Sequence, residues 1–419
     1  MKWASAISTH VSLEAAVKEV AIAAKTQLEE EPDIALVFVS LAFASEYSRL
    51  APLLQAQLPN AHVIGCSGSG VIGMDGDFPE EVERGAALSL TVAHLPNVDI
   101  RRFHLTASDL PDLDSPPSRW SELLEVAPQS NPSFILMADP FSSGTSELLQ
   151  GMDFTYPKSV KVGGLAGVES MSRQSGLFCG DRLYREGVVG LALSGEIVIE
   201  AVVAQGCRPI GEPYRVSEGE GNVILRLAPD SDEEGLLAQT PLEVLQDIFQ
   251  DMEEAERELA QNALSIGVAQ SGFKSHLRRG DFLIRTLVGV DPRNGAIAVA
   301  DKIRSGMRIQ FHVRDAQTSA EDLENMLRRY RVERLENNLD SNNPKLSPVG
   351  ALLFSCTGRG EDLYDEPNFD SDLFERYLGP LPIGGFFCNG EIGPVGETTF
   401  LHGFTSVFGI CCKPTAPVS

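Results

Sequence analysis

One pattern recurs three times along the 419-residue chain, and it limits the possible folds more than any single motif does. It runs through "IALVFVSLAFASEYSRLAPLLQAQLPNAHVIGCSGSG", then "SFILMADPFSSGTSELLQGMDFTYPKSVKVGGLAG", then "GALLFSCTGRGEDLYDEPNFDSDLFERYLGPLPIGGFFCNG". Each copy opens on an apolar run short enough for a buried strand and passes into a loop rich in Ser, Gly or Asp. A helical stretch follows, and in the first copy Leu50, Leu53, Leu54 and Leu58 share one face of it. An aliphatic residue then precedes a glycine, at Ile64-Gly65, Val162-Gly163 and Ile383-Gly384. A hairpin closes each copy and enters its last strand through Gly85, Gly187 or Gly403. Recurrence at similar intervals marks copies of one supersecondary unit. The expected fold is mixed α/β (α+β): repeated strand–helix–β-hairpin units in two packed domains with stacked sheets. "LSIGVAQSGFKSHLRRGDFLIRTLVGVD" reads as a degenerate fourth copy, with Ile266-Gly267 and Gly280 in the corresponding places.

The texture of the chain suggests where the domains divide. Residues 1–30 read as an N-terminal helix, 31–225 as a first domain and 241–412 as a second. Between the domains, 226–240 reads as an acidic linker, and 413–419 as a frayed tail. The second domain opens on a helix whose start is well marked, with Thr240 at the N-cap, Pro241 at the first helical position and Glu243 completing a capping box. "TSAEDLENMLRRYRVERLENNLDSNNP" reads as a long polar helix whose Arg328, Arg329, Arg331 and Arg334 are interleaved with glutamates on a solvated face.

Composition removes several function classes. Lys and Arg number 34 against 59 Asp and Glu, a net charge of −25 that repels phosphate backbones and anionic membranes. Nucleic acid and membrane insertion are therefore not expected, and no window is apolar enough to span a bilayer. The N-terminus lacks the apolar core of a signal peptide. Seven cysteines without CxxC spacing fit neither a secreted disulfide framework nor a zinc ribbon, so a cytoplasmic protein with reduced thiols is expected.

The glycines carry the chemistry. "VIGCSGSGVIG", "VGGLAGVES" and "IGGFFCNGEIG" read as equivalent turns that bring backbone N–H groups to one place, where they could form anion-binding nests. No lysine follows them as a Walker loop requires, and Gly65, Gly68 and Gly70 do not make the dinucleotide-binding spacing. Cys356 ends a strand-like run, with His402 and Asn389 as helpers for a Cys-His-Asn arrangement, which keeps a cysteine-dependent enzyme open. The histidines (His10, His62, His94, His104, His276, His312 and His402) show no pairing for helix-borne zinc, so no metal is expected. One imidazole is enough for haem, and haem is the single cofactor kept open.

The stretch "ALLFSCTGRGEDLY" followed by "IGGFFCNGEIGPVGETTFLHGFTSVFGI" resembles the C-terminal half of FIST domains, and "VIGCSGSGVIG" with "KVGGLAG" resembles the N-terminal half. The resemblance covers about residues 30–410. It implies a sensory module of signal transduction that binds a small molecule, such as an amino acid or carboxylate, and relays to a protein partner. Relatives that bind haem and sense nitric oxide, and others that select substrates beside an F-box, imply two alternatives: a haem-based sensor and an interaction scaffold. With no F-box-length segment before residue 30 and no output domain after the second half, the chain resembles a stand-alone FIST protein. The family motif falls on Gly358, Arg359, Gly360, Asn389, Glu391, Gly393 and His402, and Cys66, Ser67 and Gly164 in the N-terminal turns complete the expected ligand site. Arg359 offers a planar fork for a carboxylate, Glu391 a partner for an amine, and the phenylalanines an apolar wall. The competing expectation is an internal Arg359–Glu391 ion pair.

Overall fold

The computed structural model describes the chain apart from residues 169–173, 231–236, 251, 255–256, 258–259, 261–262, 271–276, 278–280, 340–344 and 416–419. Two compact units emerge: Met1–Ala204 together with Glu324–Ser419, and Gln205–Leu323. Both are mixed α/β, with sheets packed in two domains.

In the first unit the repeat is realised three times, each copy gaining a leading strand and helix. The first copy runs β1 (Lys2–Ser8), helix Leu13–Leu28, β2 (Ile34–Ser40), helix Tyr47–Gln57, β3 (His62–Gly68), the hairpin β4 (Val71–Asp75) and β5 (Phe78–Val82), and β6 (Leu88–His94). The second runs β7 (Val98–Leu105), helix Pro117–Leu124, β8 (Ser133–Ala138), helix Thr145–Thr155, β9 (Lys161–Leu165), hairpin β10 (Leu177–Cys179) and β11 (Arg182–Tyr184), and β12 (Val188–Gly195). The third opens with β13 (Val198–Ala204), after which the second unit is inserted.

That inserted unit is a closed barrel in the order β14 (Arg208–Glu220), β15 (Val223–Pro229), β18 (Ala296–Val299), β17 (Phe282–Asp291), β16 (Leu264–Ala269), β19 (Arg308–Val313). Its helix Pro241–Gln250 starts as expected, the Thr240 N–H donating to Glu243 at 2.7 Å and the Glu243 N–H to Thr240 Oγ1 at 3.3 Å. The helix Ala316–Leu339 begins in the inserted unit and ends in the first. The third repeat resumes with β20 (Lys345–Cys356), helix Phe369–Leu378, β21 (Ile383–Cys388), hairpin β22 (Glu391–Val395) and β23 (Thr398–His402), and β24 (Ser406–Thr415).

In every copy the two central strands run parallel, β2 with β3, β8 with β9, β20 with β21, and the last strand returns antiparallel beside the first. The hairpins do not stay at home. β4–β5 of the first copy joins β21, β10–β11 of the second joins β3, and β22–β23 of the third joins β9. Each of the three six-stranded sheets is thus completed by another copy, and the exchange closes on itself.

Period-two alternation explains the core. All seven residues of β2 are buried, yet Ile34, Leu36 and Phe38 enter a core shared by the three sheets, while Ala35, Val37 and Val39 face the helices of the first copy. β8 divides likewise: Ile135 and Met137 join the shared core, and Phe134, Leu136 and Ala138 pack on the helix side.

The repeated glycine has a steric cause. A Cβ on Gly65, Gly163 or Gly385 would lie 1.8 Å from the carbonyl oxygen of Val37, Leu136 or Leu353, its register partner on the parallel strand. The third copy's equivalent is therefore Gly385, one residue beyond the expected Gly384. Four further expectations are revised. Residues 1–30 contain β1 as well as a helix, because "KWASAIS" pairs over its whole length with β6 and buries Trp3, Ala4, Ser5, Ala6 and Ser8. The supposed fourth copy belongs to the barrel, where β16 has antiparallel partners on both sides, and its Gly280 lies outside the described residues. Within the expected linker, residues 226–229 finish β15, since Ile224 and Leu227 fill the barrel core, and 231–236 lie outside the described residues. Of the expected tail, Lys413 and Pro414 are paired with β20, and 416–419 lie outside the described residues. Among the described residues no helix is long and apolar enough to cross a membrane.

Replacing Gly163 by Ala should destabilise the protein by more than about 3 kcal/mol in urea denaturation, because backbone has to move. Gly396→Ala, at φ 65° with nothing within 4 Å, should cost only about 1–2 kcal/mol for its left-handed backbone.

Candidate functional site

The three glycine turns do meet. The Ser69 N–H donates to the Phe387 carbonyl at 3.1 Å and the Phe387 N–H to Gly70 at 3.0 Å, joining the β3–β4 turn to β21. The Leu165 N–H reaches Gly390 at 2.7 Å, and the Asn389 N–H returns to Leu165 at 3.1 Å. Ser67 closes the third side: its carbonyl accepts from Gly167 at 2.7 Å, and its hydroxyl donates to the Gly167 carbonyl at 2.8 Å and accepts from Gly176 at 2.9 Å. These amides satisfy one another, so they do not form an open nest. Asn389 Nδ2 donates to Ala166 at 3.0 Å, Gly164 sits opposite Glu391, and Cys66 is fully buried in β3.

Arg359 lies at the centre of a buried polar cluster. The turn after β20 is drawn in by the Arg359 N–H donating to the Cys356 carbonyl, and Gly360 beyond it has φ 72°. The guanidinium donates through Nε and Nη2 to the two oxygens of Asp370, both at 2.9 Å, and through Nη2 to the Tyr364 hydroxyl at 2.5 Å. Ser355 and Ser406 also donate to Asp370, at 3.0 and 2.9 Å. The carboxylate that holds Arg359 is thus Asp370 rather than Glu391. Burial opposes both charges, but each partner's field more than offsets it, raising Arg359 and lowering Asp370. Such a bidentate pair with every Asp370 oxygen engaged is the geometry in which a buried ion pair is tolerable.

Glu391 lies nearby at the start of β22, opposite His402 on β23. Its Oε2 accepts from the Thr405 N–H at 3.0 Å, and the Cys356 thiol bonds its carboxyl. Burial pushes Glu391 up to about 8, against the opposing pull of those bonds and of Arg359. Cys356 Sγ also accepts from the Phe404 N–H at 3.2 Å. His402 Nε2 is 3.0 Å from the Gly393 carbonyl, and Gly393 packs between Val203 and Val407. Gly358 lies in the turn between Cys356 and Arg359. All seven cysteines are free thiols, and among the described residues no group of three His, Cys, Asp or Glu could hold a metal ion.

The threefold pattern leads to a different opening. Ser40, Asp139 and Cys356 occupy equivalent strand-end positions, their N–H groups donating to Ala87, Gly187 and Thr405 in turn. In the third copy that place is filled by Arg359 and its partners. In the second copy it is a cleft of about 340 Å³ lined by Thr106, Asp139, Phe141, Ser142, Ser143 and Arg185, among others. Strand carboxyl ends are where open α/β sheets bind ligands. Asp139 is buried and accepts from Ser175 and Ser142, both at 2.8 Å, while Ser142 Oγ accepts from the Gly187 N–H. Arg185 donates to the Ser175 carbonyl at 2.7 Å and lies 5.6 Å over the Tyr47 ring. These residues were not singled out from sequence; the available signal was the Ser-rich loop "ADPFSSGTS" at the same point of the repeat as "SCTGRG".

Arg359→Met should destabilise by about 3–5 kcal/mol in urea, since it strands Asp370, and adding Asp370→Leu should recover part of that loss. The raised Glu391 carboxyl binds a proton in the fold that the unfolded chain releases at the ordinary value of 4.5. Its stabilising contribution is therefore complete below pH 4.5 and lost as pH rises toward about 8. Glu391→Gln should flatten the decline in urea stability measured across that window.

Comparison with known proteins agrees with the turns. The FIST N domain matches residues 33–228 and the FIST C domain residues 241–394. An uncharacterised protein of Mycobacterium tuberculosis is 32% identical over 411 residues, covering 97% of this chain and 98% of the relative. Human F-box only protein 22 is 39% identical over 54 residues, 13% of each chain. Among solved structures, a cyanuric acid hydrolase covers 99% of this chain and 100% of its own, at 8% identity and a TM-score of 0.32, a likeness too loose to bear on activity. With both halves matched in order along most of its length, the chain belongs to the FIST family, whose domains are associated with signal-transduction sensors.

Proposed function

We propose that the protein is a cytoplasmic ligand-sensing module of signal transduction that takes a small carboxylate or amino acid in the cleft beside Asp139 and relays its occupancy to a protein partner. The observation that carries this reading is the pairing of opposite charges in an open strand-end cleft: the exposed Arg185 guanidinium and the buried Asp139 carboxylate. Arg185 has donors left after its bond to Ser175, and its planar fork suits a carboxylate. Asp139, its oxygens already oriented by two serines, suits an ammonium group. Phe141, 55% exposed, supplies the apolar wall.

In this reading Gly358, Arg359, Gly360, Asn389, Glu391, Gly393, His402, Cys66, Ser67 and Gly164 hold the frame on which the cleft is mounted. The wiring supports a relay. Arg185 directly follows β11, whose hairpin belongs to the first copy's sheet, and its guanidinium rests on Tyr47 at the start of helix Tyr47–Gln57. A ligand that reorients Arg185 acts on the second and first copies at once.

Isothermal titration against a panel of amino acids and small carboxylates should find a binder whose affinity falls about 10–100-fold in Arg185→Ala, the loss of a charge-assisted pair. No heat from any member with folded wild-type protein would count against the reading.

A further inference from the structure

The hairpin β4–β5 crosses from the FIST N portion to the FIST C portion, yet its ladder to β21 holds only the pairs Gly385↔Ile72 and Phe386↔Val71. The outer strand β5 is seated instead by side chains against two helix starts. Glu81 Oε1 accepts from the Ser371 N–H at 2.8 Å, and Asn368 Oδ1 accepts from the Glu81 N–H at 2.7 Å. Two residues on, Glu83 Oε1 accepts from the Glu361 N–H at 2.7 Å. Glu81 is 6% exposed, and its Oε2 has no hydrogen-bond partner among the described residues.

We propose that Glu81 is a proton-controlled latch that seats the β4–β5 hairpin on the Arg359–Asp370 loop when neutral and releases it when ionised. The charge environment gives the latch its direction. From the helix Phe369–Leu378, Asp370 faces Glu81 with its charge fixed by Arg359. From the short helix Glu361–Tyr364 comes Tyr364, whose hydroxyl is itself bonded to Arg359, and from the continuation of β5 comes Glu83. Arg359, the cation of the cluster, has both its bonded nitrogens on Asp370 and Tyr364 rather than on Glu81.

Ionising Glu81 therefore sets a second negative charge beside Asp370 in a buried place, where the N–H and hydroxyl of Ser371 receive it but do not offset burial and the Asp370 charge. Burial first, and then Asp370, pushes the seated carboxyl up to about 8, whereas a released hairpin restores the ordinary 4.5. The seated form holds a proton that the released form gives to solvent between those values. The released fraction accordingly climbs about tenfold per pH unit through that window and levels off above it. Glu83, also raised, chiefly by burial, pulls in the same direction.

The test is native-state hydrogen exchange of the Glu81 and Ser371 amides from pH 5 to 9, corrected for intrinsic exchange. Wild type should show an opening constant that rises at least about tenfold per unit and flattens near 8, and Glu81→Gln should lose most of that slope, keeping only the shallower rise that Glu83 contributes. A flat wild-type profile, or an unchanged slope in Glu81→Gln, would overturn the latch. Should Glu81→Gln fail to fold, glutamate-labelled Glu391→Gln protein offers a second reading through its carboxyl carbon resonances. One resonance titrating near 8 supports the latch, and all titrating below about 6 refutes it.

Discussion

Main-chain hydrogen bonding between a sheet and a hairpin that belongs to another repeat is the interaction on which the larger unit rests. Each copy alone would present a four-stranded sheet ending at the parallel strand β3, β9 or β21, with that edge unpaired. Exposed strand edges invite foreign pairing, and here each is covered by a hairpin supplied from within the chain. Because the donation is cyclic, each copy completes the sheet of one neighbour and has its own completed by the other. The shared core of Phe38, Ile135, Val162, Leu352 and Phe386 forms only when all three are in place.

The same exchange explains why the glycine turns are closed. A hairpin leaving one sheet for the next must turn sharply at the parallel strand's end, and there its amides find the carbonyls of the neighbouring turn. Ser69, Leu165, Phe387 and Asn389 are joined in this way. The chemistry that looks suited to an anion is taken by the architecture. Arg359 follows the same logic: in a site without water its charge needs a carboxylate of the chain's own, and Asp370 supplies it with two serines in support.

The strand-end position is packed in the third copy and open in the second, so the same place in the repeat holds a buried ionic joint in one and a charged cleft in the other. In the second copy the exposed Arg185 and the buried Asp139 line a cleft, whereas Arg359 and Asp370 in the third are sealed, and the proposed sensing role rests on that contrast.

Much of this was legible in the residues. The strand–helix–hairpin order, the glycine beside each second strand, the capped helix at Thr240 and the family all follow from local pattern, because backbone sterics and side-chain alternation act over a few residues. The convergence of the turns could be inferred from their equivalence. Three things could not: that each hairpin would join a foreign sheet, that Gly385 rather than Gly384 would oppose Leu353, and that Asp370 would claim Arg359. Those depend on tertiary packing: which strand a distant hairpin reaches, which register two parallel strands take, and which of two buried carboxylates comes up against the guanidinium. The sequence by itself determined the repeated unit, since period and sterics are local properties. Only the tertiary structure decided which amides and charges remain available to a ligand, because that depends on whether another part of the chain reaches them first.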